Sequence, residues 1–497
     1  MKTIYITVLI LALSFFMITC DSLEYRPDDQ LNDQVVLDSP ELIENLTIGN
    51  YSRLRERSYV RNRHMTQELT SDDVVLVKST GDNLMYTYNF QHLVNHTLAR
   101  QLWESAYRGL YPINQVIEAV EEDADQNLKQ LKGENYFLRA LIHFDLVRIF
   151  GRPYTQNPES NLGVMLRDNT DVTALPPRST VEGTYQFIVS DLLKAAELMT
   201  ENKSSIFASR ESALALLARM YLYMEQNDKA IEYADMVINS GRYDLIETDQ
   251  LSEYFTILPE NNSETIFAIK LQESENMGNG SIGSMYHGLD GGWGEIYPSP
   301  HYRQLIYQNP NDERINFIDP HYMYDDNGNR IEDPSEEAGY QVLKRNDYSI
   351  YFMNKYTREG GVPLLASPVV LRLAEMYLIK AEAYAKIERE ADAIEMVNLI
   401  RSRAGLEGEQ LYTTSDLHEF DTILDVVLNE RRLELAWEGH RSFDLFRNNK
   451  PVDRSYVIPT GWSGPSGEIS PTCNCIIHLI PETEINLNPN LVQNPSD

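Results

Sequence analysis

One repeat constrains this chain more than any other feature. The stretches LLARMYLYMEQNDKAIEYADMVI and YLIKAEAYAKIEREADAIEMVNLI set Ala218, Tyr221 and Ala230 at the spacing of Ala381, Tyr384 and Ala393. Each reads as helix, tight turn, helix. Small alanines let paired helices approach closely, and tyrosine fills the groove between them. A unit of this kind leaves an apolar face open, so it must stack on further units. Other segments keep the helical period and are expected to supply them: 102–122, 134–150, 181–199, 210–224, 228–240, 370–387, 390–403 and 421–447.

The expected fold class is therefore mainly α, with tetratricopeptide-like helix pairs as the scaffold. From about 244 to 365 the character changes to Gly, Asn, Pro, Asp and aromatics, as in GNGSIGSMYHGLDGGWGEIYPSPHY, and a second such stretch covers 451–477. These read as irregular, loop-rich insertions, the places where a rigid scaffold usually carries binding residues. The chain has 497 residues and a net charge of −32. Such a surface repels nucleic acid, which needs clustered cations, so no nucleic-acid partner is expected.

The amino terminus reads as an address. Lys2 precedes an apolar run from Ile4 to Ile18. That is too short for a comfortable span of about 20 residues but right for a secretory signal. It ends in Met17-Ile18-Thr19-Cys20, similar to a lipobox. Residues 1–19 are then a lipoprotein signal peptide, Cys20 the lipidated residue, and 20–497 the mature domain. The acidic residues after Cys20 are similar to surface-export signals of some Gram-negative lipoproteins, which places the protein on the outer membrane, facing outward. Cys473 and Cys475 flank Asn474. They read as two thiols, with a disulfide as the alternative.

Three further stretches share an order: GENYFLRALIHFDLVRIFGRPY at 133–154, NERRLELAWEGHRSFDLFR at 429–447 and HLIPETEINLNPNLVQNP at 478–495. Together they resemble the SusD/RagB family of outer-membrane nutrient-binding lipoproteins, and LWESAYRGLYPINQVIEAV at 102–120 is similar to the family's first paired-helix segment. The resemblance implies helix pairs around a variable ligand-binding portion. It implies a SusC-like TonB-dependent barrel as partner, with an oligosaccharide as the usual ligand and peptides in some branches. It also implies polar ligand contacts from the segment 71–90, which makes Asp73, Asn83 and Tyr86 candidates. A surface glycosidase and a purely structural repeat scaffold are the rivals from other classes.

The tryptophans sort by context. Trp103 and Trp437 sit in helical, apolar surroundings and are expected in the core. Trp293 and Trp462 sit in Gly-rich loops. A flat indole there can stack on the apolar C–H face of a sugar ring. Trp293, with Tyr286, Tyr297 and Tyr302 near it in sequence, is the leading ligand-contact candidate, followed by Trp462. Glu438, His440, Arg441 and Asp444 could pass for a catalytic cluster but read better as an ionic network. Asp325, Asn327, Asn329 and Glu336 hint at a calcium loop, yet Arg330 stands where the turn needs glycine. Asn327-Gly328 reads as a hairpin turn. No catalytic motif, metal site or cofactor site is expected, and the chain reads as a binder rather than an enzyme.

Overall fold

The computed structural model describes residues 39–77, 84–457 and 466–496. Fifteen helices lie in them: α1 (Pro40–Leu54), α2 (Arg57–Glu68), α3 (Leu84–Tyr88), α4 (Thr97–Ala119), α5 (Gln126–Phe150), α6 (Val181–Leu198), α7 (Arg210–Tyr223), α8 (Asn227–Ile238), α9 (Ile282–Tyr286), α10 (Pro300–Ile306), α11 (Leu373–Lys386), α12 (Glu390–Arg403), α13 (Ile423–Glu434), α14 (Arg441–Arg447) and α15 (Glu482–Leu487). The long ones stack in chain order. α4 packs on α5, α5 on α6, α6 on α7, α7 on α8, α8 on α11, α11 on α12 and α12 on α13. The insertion between α8 and α11 interrupts the ladder in sequence but not in space.

The two repeats agree down to the turn. Ala218, Ala230, Ala381 and Ala393 are all fully buried. Glu225 and Glu388 hold the left-handed turn positions, with φ of 57° and 60°. In each turn the next residue's N–H donates to the tyrosine carbonyl: Gln226 to Tyr221 and Arg389 to Tyr384, both at 2.9 Å. The segment 421–447 is not the single helix its period suggests. It breaks into α13 and α14 between Leu435 and His440, where Trp437 (φ 62°) and Gly439 (φ 75°) turn the chain. Trp437 is fixed there from two sides: its Nε1 donates to the Asp73 carbonyl at 3.3 Å, and its own carbonyl accepts from the Tyr356 hydroxyl at 2.7 Å.

Helix α5 is buried from Gln130 to Phe150, so its charged residues need internal partners. Arg139 makes a bidentate pair with Asp191 at 2.7 Å. Asp145 accepts from Tyr59, Arg63, Gln67 and Arg148. The charges of α13 and α14 are spent the same way. Glu430 pairs with Arg314 and Arg401, Arg431 with Asp444, and Glu434 with Arg314, Arg372 and Arg403. The third motif closes the fold against the turn after α5. Arg178 donates to the carbonyls of Phe150, Leu162, Gly163 and Val492 and to the Asn494 side chain, while Asn494 donates to Phe150 and His478 carbonyls.

Strands are short and pair in twos, all antiparallel. In chain order the first five are β1 (Val74–Leu76), β2 (Leu162–Met165), β3 (Arg178–Thr180), β4 (Thr265–Ala268) and β5 (Ile296–Pro298). At the site β1 pairs with β5, and the hairpin of Lys344–Arg345 with Tyr348–Ser349 stands beside Tyr351–Met353. Cys473 and Cys475, read from sequence as two thiols, are joined in a disulfide. At Asn327-Gly328 the chain makes the expected turn: the Asp325 carboxylate accepts from the Asn327 and Asn329 N–H groups at 2.8 Å, and Gly328 has φ 82°. That carboxylate is committed to the turn. No helix among the described residues is long and apolar enough to cross a membrane.

Candidate functional site

The loop 287–295 follows α9 and leads into β5. Its backbone doubles back onto α9: the N–H groups of Trp293 and Gly294 both donate to the Ser284 carbonyl at 2.8 Å, and Glu295 N–H donates to Met285. Three glycines make this closeness possible. A Cβ on Gly292 would lie 1.9 Å from the His287 carbonyl oxygen, one on Gly294 2.7 Å from Gly288 Cα, and one on Gly288 2.6 Å from the Phe352 ring. From outside, the Arg345 guanidinium donates to the carbonyls of Trp293 (3.1 Å) and Gly294 (2.9 Å). The loop is thus built and clamped, and its indole is 46% exposed. Leu289 is exposed beside it in sequence, and Asp290 pairs with Arg358 at 3.1 Å.

Beneath the loop lies a small apolar cluster of Val75, Val77, Tyr297, Tyr348 and Phe352, with Tyr456 against it. Here the structure gathers stretches that are far apart in sequence. Val77 N–H donates to the Glu295 carbonyl, the Asn346 amide to the Val77 carbonyl (2.7 Å), and the Tyr456 hydroxyl to the Val74 carbonyl (2.8 Å). Asn346 and Asp347, with φ of 50° and 68°, form the tight turn that presents Arg345. Arg345 escaped the sequence reading. The only local signal was Asn346-Asp347 between two short strands, which marks a turn but not what it clamps.

The expected companions of Trp293 are placed differently. Tyr286, Tyr297 and Tyr302 are buried, so as packed here they offer no face to a solute. The Tyr286 hydroxyl lies 2.6 Å from His64 Nε2, and the Tyr302 ring packs 4.8 Å from Trp437. Tyr297 sits under the loop, in the apolar cluster. Sequence proximity groups them with Trp293, but α9, β5 and α10 turn these rings inward. Asp73 is also internal. Its carboxylate accepts from Arg432 Nε at 2.5 Å, and Arg432 closes on Asp72 as well. Tyr86 is half-buried, edge-on to His96. Asn83, Trp462 and Cys20 lie outside the described residues.

Three other places were candidates for chemistry. The cluster of Glu438, His440, Arg441 and Asp444 does not converge. Glu438 is bound by Lys355 (2.7 Å) and Arg372, Arg441 by Asp72, and Asp444 by Arg431 and Arg447. Burial would raise Glu438, but Arg372 and Lys355 outweigh it and hold the carboxyl below its usual range. Glu68 goes the other way: burial, then the Asp73 charge, push it up to about 8. It is sealed from solvent, accepting from Ser71 and from the Gly439 N–H. A cavity of about 30 Å³ between Tyr185, Tyr223 and Phe443 has room for about one water. The exposed indole on its clamped loop remains the arrangement suited to holding a solute.

Comparison with known proteins covers nearly the whole chain. A family model described as starch-binding associating with the outer membrane matches residues 21–222, and the SusD family model matches residues 263–496. A SusD-like protein of Formosa agariphila is 26% identical, over 91% of this chain and 92% of its own length. Among solved structures, a SusD superfamily protein of Bacteroides vulgatus is 29% identical with a TM-score of 0.78, covering 91% of this chain and 98% of that one. A putative sugar binding protein of the same organism is 26% identical with a TM-score of 0.76, covering 92% and 98%.

Proposed function

The chain belongs to the SusD/RagB family, and from that premise we propose that it is a surface lipoprotein that binds an oligosaccharide and delivers it to a SusC-like TonB-dependent barrel. The observation that carries the reading is Trp293. A rigid loop holds a large flat apolar ring at the surface, where burial of the same ring in the core would be the more stable arrangement for a scaffold alone. The C–H faces of sugar rings complement such a ring. Around it, Arg345, Asn346 and the Asp290–Arg358 pair supply polar groups for hydroxyls. Binding without turnover is the expected chemistry, because the buried carboxylates named above are either locked in ion pairs or sealed from solvent.

The test is a screen of the full-length protein, purified in detergent, against a glycan panel and a peptide panel, with the ligands analysed for cleavage afterwards. Binding of glycans without cleavage is expected. Binding of peptides alone would transfer the reading to a peptide carrier, and reproducible cleavage would make the protein a glycosidase. Anchoring through Cys20 is tested separately. Cys20→Ser is expected to move the protein from the membrane fraction to the soluble fraction in cells lacking the barrel. Retention in the membrane fraction would put the anchor elsewhere.

A further inference from the structure

Away from the indole loop, helix α4 carries a polar stripe, exposed at Gln101, Arg108 and Tyr111 and half-buried at Thr97 and Glu104. Thr97, Gln101, Glu104, Arg108 and Tyr111 recur at spacings of three and four, so they share one face. They span roughly 20 Å along the helix axis. Two clefts open onto this stripe and meet at Arg108. The first, of about 600 Å³, is walled by Arg57, Ser58, Arg61 and Asn62 of α2. The second, of about 300 Å³, is walled by Tyr107, Tyr111 and the turn from Arg167 to Val172, with Glu484 at its edge. The stripe therefore floors a groove of two clefts that share Arg108, the first cationic, the second aromatic with Asp171 and Glu484 in its wall.

The cationic end stands out against the rest of the molecule. The chain carries 75 acidic side chains against 43 basic ones, yet the first cleft is lined by three arginines and one carboxylate. That carboxylate, Glu104, is drawn off by Arg100 at 2.8 Å. Among the described residues Arg108 pairs with Glu56, at 3.4 Å and half in solvent. Arg57 makes no ion pair among the described residues; its guanidinium is braced against Gly280, where an added Cβ would lie 3.3 Å from Nε. At the other end the Tyr107 hydroxyl donates to the Met165 carbonyl, so its ring is fixed, and Tyr111 one turn on stands open to solvent. Guanidinium groups bind carboxylate and sulfate by paired hydrogen bonds, and an open phenol ring takes the face of a sugar.

We propose that this groove binds a linear, negatively charged glycan, with its acid groups against Arg57 and Arg108 and a sugar ring against Tyr111. The ligand class rests on the glycan reading above, but the groove does not depend on the Trp293 loop. Calorimetric titration of the full-length protein with oligogalacturonate, dextran sulfate and uncharged dextran, at low and high salt, tests it. At least one acidic probe is expected to bind, more weakly at high salt. The double variant Arg57→Ala, Arg108→Ala is expected to lose about ten-fold or more in affinity for it, Tyr111→Ala less, and Arg57→Lys with Arg108→Lys a measurable part, because the charge stays but the paired hydrogen bonds go. Whichever acidic probe is preferred tells carboxylate from sulfate. If neither acidic probe binds, or if the alanine double variant binds as tightly as the parent, the inference is overturned. Trp293→Ala run in parallel against neutral glycans separates the two ideas. If neither acidic probe binds but neutral binding depends on Trp293, the glycan reading stands while the groove falls, whereas no binding in any arm sinks both.

Discussion

Trp437 and Trp293 make an instructive pair. Trp293 is flanked by Gly292 and Gly294 and Trp437 has Gly439 two residues on, and both lie where the backbone turns back on itself. Trp437 is 1% exposed and Trp293 is 46% exposed. At Trp437 the nearby Gly439 lets the chain close on Gln67, where a Cβ would come within 2.7 Å of the amide oxygen, and the indole is driven between α10 and the charged helices. At Trp293 the glycines let the chain close on itself, and the space beneath is already filled by Tyr297 and Phe352. Glycine near tryptophan therefore marks close backbone approach in both places. Whether the ring is core or surface is decided by what already fills the site below.

Removing a support from the Trp437 side should cost most. Glu434→Ala would take a shared carboxylate from Arg314, Arg372 and Arg403, all buried, leaving Arg314 to Asp312 and Glu430, Arg372 to Glu264 and Glu438, and Arg403 to Glu264 at 3.8 Å. Breaking a buried pair costs about 3–5 kcal/mol, so a large drop in the urea midpoint is expected; an unchanged midpoint would mean the ionic core is not what holds α13. Acid should act on the same region. Burial holds His64 and His143 down at about 3, and burial with neighbouring cations or histidines holds His440 and His478 well below their usual value. A histidine depressed in the folded state takes up its proton only on unfolding. Its contribution is complete above about pH 6.5 and is lost as pH falls, at about 1.4 kcal/mol per pH unit for each group. Glu68, raised in the folded state, opposes this between its folded value of about 8 and the ordinary carboxyl value. Burial also holds His92 down at about 3 and raises Asp73, Glu134 and Asp191; the five depressed histidines outnumber the raised carboxyls, so the urea midpoint should fall between pH 7 and pH 5. A flat profile would show that these histidines reach solvent.

On the Trp293 side the effects should be smaller and fall on binding. Trp293→Ala is expected to weaken the glycan found in the screen about 30-fold, about 2 kcal/mol, with the urea midpoint nearly unchanged. A lower midpoint with full affinity would make the indole a plug like Trp437. Gly292→Ala leaves the indole in place but puts a Cβ 1.9 Å from the His287 carbonyl oxygen. Its expected result is a several-fold loss of affinity. Full affinity would show that the ring need not be aimed by its loop.

The helical scaffold was legible because its signal is local. Alanine and tyrosine at helical spacing specify a pair, and the turns at Glu225 and Glu388 repeat it in detail. The break inside 421–447 was not, since Leu435 through His440 keeps a helical period and only contacts with Asp73 and Tyr356 turn the chain there. For the site, loop composition pointed to Trp293, but the roles of Tyr286, Tyr297 and Tyr302 depended on which way α9, β5 and α10 face. Asp73 followed the same rule: an acidic residue in a polar stretch, it is claimed by Arg432 from the far end of the chain. Neither the facing of a short strand nor a partner more than 300 residues away leaves a trace in local sequence.

The anchoring of Arg178 has a kinetic consequence. Stacked helical repeats ordinarily fold piecewise, each unit resting on its neighbour. Here Arg178 needs Val492 and Asn494, more than 300 positions along the chain, and Arg454 needs Leu69 and Ser71, more than 380 positions back. Until those loops close, buried guanidinium groups and carbonyls stand without partners, and the closure entropy must be met before the contacts reward it. The repeats are thereby tied into one slow, all-or-none folding unit, in which no subset of helices completes its own interior.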